Sequence, residues 1–537
     1  MRSTADMLIR GGMVLDGLGS PPRRQDVAVA DGRVRLLTPP ARVEATDVLD
    51  ATDHFVVPGF IDIHGHSDLA SMTGPDAVSR VAAGVTTECN GNCGYGAFPM
   101  VGEVLAERQR GFDPARLTID WTDAAGYFER AGAIGCAVNR VTLIGHGNVR
   151  GAVIGYGNLR ATPSQIDRMA AIVEASLAAG AVGLSTGLIY PPGMWADVDE
   201  MAALAAVVAA RGGLYASHIR CEGVRLLEAV DEFIEVLRRS GCRGQLSHVK
   251  ASGEPNWHKI GAVGEKLRRA RAEGIEVWAD RYPYTASRTS LAAMVLPGEA
   301  MAGSTDDVVA RLADGPTRRA IVQGIRAEKG SWLDRWLETI VIASVGRPEL
   351  RDCIGRNLRR LPDRFAAAGD ALDAAIELLL ADRAAPQAVR FCMSEANLPV
   401  VYGWEFVCVG SDSATRDRLG DSDAERPHPR SYGTPARFVD LVVRQWKLMD
   451  WPEAIRRMTS MPAAILGLAE RGVLRDGAPA DVVVLDPRRF ADRATYDHPA
   501  QNPDGVAATI VNGQAVWRND RHTGRRPGRL LGVKGAR

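Results

Sequence analysis

Eight short apolar runs occupy the middle of this chain, each separated from the next by residues of helical period. They fall at 56–63, 84–94, 137–147, 180–190, 212–220, 244–250, 275–287 and 405–413. Alanine- and leucine-rich segments such as "PSQIDRMAAIVEASLAAG" and "GVRLLEAVDEFIEVLRRSG" supply the intervening helices. Eight strands in β/α alternation favour a parallel sheet closed on itself, a (β/α)8 TIM-like barrel of the α/β class. An open doubly wound sheet would want a glycine-rich phosphate turn after its first strand, and none is present.

Two regions break this rhythm. Residues 288–404 place over a hundred residues between the seventh and eighth runs, with helical stretches such as "STDDVVARLADGPTRRAIVQGIRAE". That content predicts an inserted subdomain, about 289–390, set as a lid over the barrel mouth. The chain ends have a different grammar. In 1–57 ("ADMLIRGGMVLDG", "DVAVADGRVRLL") and 471–537 ("ADVVVLDP", "GVAATIVNGQAVWRND"), β-like pieces alternate with turns, among them Asn512-Gly513. Both ends together predict a small β-sandwich beside a barrel domain of 58–470, with the termini close in space.

Lys+Arg and Asp+Glu balance at 65 each, which argues against nucleic acid or an anionic membrane as the main partner. The basic tail from Arg518 reads as a solvated terminus. Eight cysteines are too few and too irregular for a disulfide framework. The N-terminus lacks the apolar core of a secretory signal, and no run reaches about 18 apolar residues. These features predict a cytoplasmic protein with a small-molecule partner, and they leave a homo-oligomer open.

In a barrel of this kind chemistry collects at the C-terminal ends of the strands. The first run, "VPGFIDIHGHSD", brings His64 and His66 to one face, because residues two apart in a strand point the same way. Two such imidazoles share a metal or form a polar network; the pair alone does not decide. The second run leads to Cys93 in "GNCG", the fifth ends at His218, the sixth at His248, and the eighth at Asp412. His218 or His248 alone reads equally as a hydrogen-bonded core residue, and Cys89 as a small hydrophobe. Together the six form a nitrogen, sulfur and oxygen set suited to one or two divalent ions, zinc first. His146 in "GHG" is a candidate to support a ligand or touch substrate, whereas His54, His258, His498 and His522 read as surface or structural.

The first-run HxH, the histidines on strands five and six and the strand-eight aspartate resemble the amidohydrolase superfamily. Within it, "GNCG", "YASHIR", "SHVK", "YPYTAS", "GSD", "HPRSYGT", "HPAQNPDGV" and "TGRRPGRLL" resemble the D-aminoacylase or N-acyl-D-amino-acid deacylase family. The likeness runs nearly end to end, weakest in 100–135 and 300–390. Most superfamily relatives bridge two metals with a strand-four lysine or glutamate; "GLSTGLIY" has neither, which makes Cys93 the natural substitute.

The resemblance implies zinc-dependent hydrolysis of the amide of N-acyl-D-amino acids by a metal-activated hydroxide. Cys93, His218 and His248 would hold one zinc tightly. His64 and His66, with Cys93 as bridge and Asp412 nearby, would form a second, weaker site. Bound zinc can lower the pKa of water from about 15.7 to about 7, and Asp412 would shuttle the proton to the leaving nitrogen. Tyr190, Lys250, Tyr282 and Ser287 match positions that help hold the substrate's carboxylate. Arg430 is a further clamp, and Arg288 a candidate to recognise an acidic side chain. The chain departs from the family in Ser413 of "GSDS", where glycine is expected and the pocket beside Asp412 would change. It also departs in 102–121, a segment unlike the family pattern, so that the acyl side of the substrate would differ from the family norm. A cyclic-amide hydrolase of the hydantoinase or dihydroorotase type is the enzymatic alternative, and a barrel that lost its chemistry is the non-enzymatic one.

Overall fold

The structure, a computed structural model, describes residues 3–39, 43–110, 116–417, 420, 422 and 424–532. Residues 111–115, within the segment 102–121, and the end of the basic tail from 533 lie outside the described residues.

Eight parallel strands form the central sheet: β1 (Phe60–Asp62), β2 (Val85–Asn90), β3 (Asn139–Thr142), β4 (Gly183–Gly187), β5 (Leu214–His218), β6 (Arg243–Leu246), β7 (Val277–Arg281) and β8 (Val407–Val409). β1 pairs with β2 and β2 with β3, while β4 to β8 pair in order. Ile144–Gly145 continues β3 across Leu143 and pairs with β4. The sheet closes from β8 to β1 by a parallel bridge between Gly65 and Ser413. There the Asp412 N–H donates to the His64 carbonyl at 2.7 Å and the His66 N–H to the Ser413 carbonyl at 2.9 Å. The closure therefore fixes the backbone of three candidate site residues directly.

Ile61, Ile63, Cys89, Val141, Leu143, Val182, Leu214 and Cys408 fill the barrel interior, so Cys89 is the core residue its apolar surroundings suggested. The outer helices follow from their sequences. Pro163–Ala179 starts with a capping box between Thr162 and Gln165, with Pro163 at its first turn. Leu226–Ser240 buries Leu226, Ala229, Val230, Phe233 and Leu237 on one stripe and ends at Gly241, in the left-handed region at φ +67°. Each of the leucine, valine and phenylalanine side chains removed from water contributes about 1.5–3 kcal/mol.

Two of the eight runs divide. Residues 56–63 hold two strands, since Phe55–Pro58 pairs with Val482–Leu485 outside the barrel and only Phe60–Asp62 belongs to it. Residues 275–287 likewise split into β7 and a second strand, Ala286–Ser290. That strand joins Gln387–Phe391 and Ile340–Ser344 in an antiparallel sheet. The insertion is therefore more than helical. Its core includes Leu312, Trp336, Ile342, Leu372 and Leu379, and its Thr289, Met294 and Arg390 line the cavity at the barrel mouth.

The chain ends build two facing sheets. One holds Arg33–Leu37, Asp26–Ala30, Ser3–Arg10 and Val43–Asp50 in that order. The other runs from Arg521–His522 through Gln514–Arg518, Val506–Val511 and Val482–Leu485 to Phe55–Pro58, Met13–Val14 and Arg23–Arg24. Ile9, Val27, Val29, Val56, Val482, Val484 and Ile510 pack between them. Asn512 and Gly513, at φ +47° and +85°, make the tight hairpin turn their sequence predicts.

Candidate metal centre

Cys93 lies in the turn Gly91-Asn92-Cys93-Gly94 that follows β2. Gly91 is at φ +78°, and a Cβ there would sit 2.0 Å from the Leu143 carbonyl oxygen, so no side chain fits. Asn92 ties the turn down by donating from Nδ2 to the Cys89 carbonyl at 3.0 Å. Ser185 of β4 donates to the Gly91 carbonyl and accepts the Gly94 N–H at 3.0 Å. Strand four thus supplies a hydroxyl that holds the cysteine turn in place.

Around the sulfur, His64 Nε2 lies 3.3 Å and His248 Nε2 3.4 Å from Cys93 Sγ. His218 Nδ1 is 2.9 Å from His248 Nε2. Asp412 Oδ1 is 2.9 Å from His66 Nε2 and 3.5 Å from His64 Nε2. Two donor groups result, His64/His66/Cys93/Asp412 and Cys93/His218/His248, each with its ligand atoms within 4.8 Å of one another. Cys93 belongs to both. All six are buried except His66, which is partly exposed at the cavity.

Two carboxylates absent from the sequence expectations orient the rings. Asp280, at the end of β7, lies 3.1 Å from His64 Nδ1, accepts the His248 N–H at 3.1 Å and accepts Gln245 Nε2 at 2.5 Å. Glu222 lies 3.2 Å from His248 Nδ1 and pairs with Lys250 Nζ at 2.5 Å. Each occupies one Nδ1 and leaves the Nε2 of that ring to face Cys93, the usual division of labour for a metal-binding imidazole.

A cavity of about 460 Å³ opens from this cluster. Tyr190, Lys250, Tyr282, Ser287, Arg288 and Arg430, the six substrate-side expectations, all line it. Two pair with carboxylates that also line the cavity: Arg430 Nη1 pairs with Asp412 Oδ2 at 2.7 Å, and its guanidinium lies 4.6 Å over the Tyr282 ring. The other is Lys250, held by Glu222. The Tyr190 hydroxyl is 3.0 Å from that of Thr289 on the insertion.

The profile of the amidohydrolase family matches residues 47–325 and 416–517. An N-acyl-D-glutamate deacylase of Alcaligenes xylosoxydans xylosoxydans is 35% identical over 534 residues, covering 99% of this chain and 97% of that protein. A D-aminoacylase of the same organism is 31% identical, with 98% and 97% covered. The chain belongs to the amidohydrolase family. The crystal structure of the N-acyl-D-glutamate deacylase from Bordetella bronchiseptica, complexed with zinc and a phosphonate inhibitor mimicking the tetrahedral intermediate, superimposes with a TM-score of 0.82 at 34% identity. It covers 98% of this chain and 100% of that one.

In this amidohydrolase the donor set meets a test of fit on its own chemistry. Burial opposes charge on the Cys93 thiol, yet His64 and His248 outweigh it and hold the thiol well below its ordinary value. Burial likewise opposes a charged His64, but Asp280 and the Cys93 thiolate hold the ring well above its ordinary value. Asp412, despite burial, is kept ionised by Arg430 and His248. The buried thiolate persists because imidazoles carry protons beside it, and the buried carboxylate because Arg430 pairs with it, with His248 behind. A divalent cation supplies the imidazoles' share of that positive charge directly, and one soft sulfur with two imidazole nitrogens in each donor group suits zinc.

Two further residues of the amidohydrolase do other work than the sequence suggested. His146 is buried against Glu200 at 2.8 Å, which also pairs with Arg150, and it does not line the cavity. Ser413 points away from the pocket: its hydroxyl donates to Ser411 Oγ at 2.9 Å, and Arg80 donates to its carbonyl at 2.6 Å. Asp62 in turn accepts the Ser411 N–H at 2.9 Å, so this buried network braces the backbone on both sides of Asp412.

Proposed function

We propose that this amidohydrolase is a zinc-dependent N-acyl-D-amino-acid deacylase, hydrolysing the linear amide of a small N-acyl amino acid. The observation that carries the reading is the Cys93 sulfur common to two donor groups with Asp412 beside them. Cys93, His218 and His248 would hold one zinc, and His64, His66, Cys93 and Asp412 a second, weaker one. Bound there, zinc would supply Lewis acidity toward the amide carbonyl and make water a nucleophile near neutral pH.

The chain's own residues then account for binding and proton transfer. Asp412, ionised through its pair with Arg430, takes a proton at a carboxylate oxygen as the C–O bond forms. It returns that proton to the departing nitrogen as the C–N bond breaks, so amine and acid leave balanced. Lys250 and His248 Nδ1 compete for Glu222, with Lys250 Nζ 2.7 Å from that nitrogen. When His248 offers Nε2 as a donor, its Nδ1 carries the proton and binds Glu222. Lys250 is then turned toward a substrate carboxylate, beside Tyr282 and Ser287. His428, which accepts the Arg430 N–H at Nδ1 at 3.0 Å, fixes the start of the helix that presents Arg430.

The reading extends to the domains: a sandwich of 1–57 and 471–537, a barrel of 58–470 and an insertion at about 289–390. It also includes a cytoplasmic setting, supported by eight free cysteines. No helix among the described residues is long and apolar enough to cross a membrane. A cyclic-amide hydrolase is disfavoured because β4, "GLSTG", carries neither lysine nor glutamate. The test is a hydrolysis panel with added zinc, using N-acetyl-D- and N-acetyl-L-amino acids and hydantoins. Turnover confined to the D series is expected, and turnover of hydantoins alone would overturn the reading.

A further inference from the structure

The stretch 102–121, unlike the family pattern, returns to the cavity through one helix, Gly102–Arg110. Its Arg108 lines the cavity beside Tyr95. The guanidinium lies 5.2 Å from the centre of the Tyr95 ring, and Nη2 donates to the Gly96 carbonyl at 3.2 Å. No carboxylate among the described residues is within ion-pair distance of Arg108, and Asp68 acts on it only from farther off. Lys250 and Arg430, by contrast, face Glu222 and Asp412. A positive charge half enclosed in protein without a counter-ion is costly unless an anion completes it.

The helix is tied to two neighbours, so this cation is held ready. Toward the barrel, Glu103 accepts the Tyr156 N–H at 3.2 Å. Toward the insertion, Glu107 accepts the N–H and hydroxyl of Thr305 at 3.2 and 2.5 Å, and Arg110 pairs with Asp306 at 2.5 Å. Tyr95 is fixed as well: its hydroxyl donates to the Pro191 carbonyl at 3.0 Å, and its ring lies 5.6 Å from that of Tyr190. Position around the barrel gives the pair a direction. Tyr95 and Arg108 follow β2 and Lys250 follows β6, strands that stand opposite each other in a closed sheet of eight. The donor cluster lies at the strand ends between them. A substrate whose α-carboxylate reaches Lys250, with its amide over that cluster, therefore points its acyl chain toward Tyr95, Ile189 and Arg108.

We infer that Arg108, carried on the Tyr95 ring, is a subsite for the far end of the acyl chain and takes an acyl group that ends in a carboxylate. The substrate class is then the half-amides that short dicarboxylic acids form with a D-amino acid: N-malonyl, N-succinyl or N-glutaryl compounds. Guanidinium meets such a terminus with paired N–H donors, whereas an acetyl group leaves it unused. Hydrolysis consumes one water and releases the dicarboxylate and the free amino acid. The inference rests on the deacylase reading and concerns the acyl end alone, whatever the amino-acid side chain.

Steady-state kinetics on zinc-loaded protein test it, with the D-amino acid held constant and the acyl group varied. N-malonyl, N-succinyl and N-glutaryl substrates are each compared with the isostere whose terminal carboxylate is a neutral amide, in wild type and R108M. For the best-fitting chain length, the wild type is expected to favour acid over amide by about tenfold or more in kcat/KM, the worth of one charge-assisted pair. R108M should lower that ratio at least threefold, chiefly through KM, and should weaken competitive inhibition by the free dicarboxylate. A largest wild-type ratio below tenfold, or a smaller fall in R108M, would overturn the inference; turnover of the N-acetyl compound in the same assay would leave the deacylase reading intact. If R108M fails to fold by circular dichroism, R108Q decides by the same threshold. No turnover of any N-acyl-D-amino acid would sink both.

Discussion

At Asp412 several demands fall on one side chain. Its Oδ1 faces His66, its Oδ2 faces Arg430, and its backbone is left-handed at φ +51°. Cys93 at φ +54° and His248 at φ +35° share that uncommon conformation, so three of the six donor residues stand on backbone that tertiary structure must impose. Asp412→Asn keeps the shape and removes the proton acceptor. Zinc content should be retained and kcat should drop about 10²–10⁴-fold, the usual span for a lost general acid–base group. More than a tenth of the wild-type rate would refute the proton-transfer role. The donors were legible in the sequence because the period-two rule and strand ends single out the few histidines that can converge. Asp280 and Glu222 were not, since a charged residue near a strand end is unremarked in a chain with 65 acidic and 65 basic residues. Only contact geometry separates these two from the solvated majority.

Among the elements, the β/α alternation gave the barrel order correctly, while strand limits near prolines were misjudged. Pro58 and Pro283 lie where an apolar run passes from one sheet to another, and a run of residues does not reveal which sheet each half joins. The insertion's sheet was hidden for a related reason: its three strands are separated by about fifty residues each along the chain, beyond any local pattern. The segment around Asp492 packs against this region. Its carboxylate accepts the Tyr284 hydroxyl at 2.8 Å and the Ala494 N–H at 2.9 Å, yet burial pushes it up to about 6. The folded value lies above the unfolded one of about 3.9. The fold therefore binds this proton more tightly; the gain is complete below about pH 4 and is lost as pH rises through 6. It amounts to at most about 3 kcal/mol. Asp492→Asn should flatten the fall of the melting temperature between pH 4.5 and 7. An unchanged slope would show that Asp492 titrates normally.

For the whole molecule, the candidate donors come from the ends of β1, β2, β5, β6 and β8, so one small cluster joins segments from residue 64 to residue 412. The sandwich from both chain ends was legible because hairpin turns such as Asn512-Gly513 carry a local signature, whereas the order of strands within its two sheets was not. X-ray absorption at the zinc edge tests the central claim most directly, on protein carrying one equivalent of zinc. A shell with one sulfur at about 2.3 Å and two imidazole nitrogens at about 2.0–2.1 Å is predicted. A first shell of nitrogen and oxygen without sulfur would contradict it.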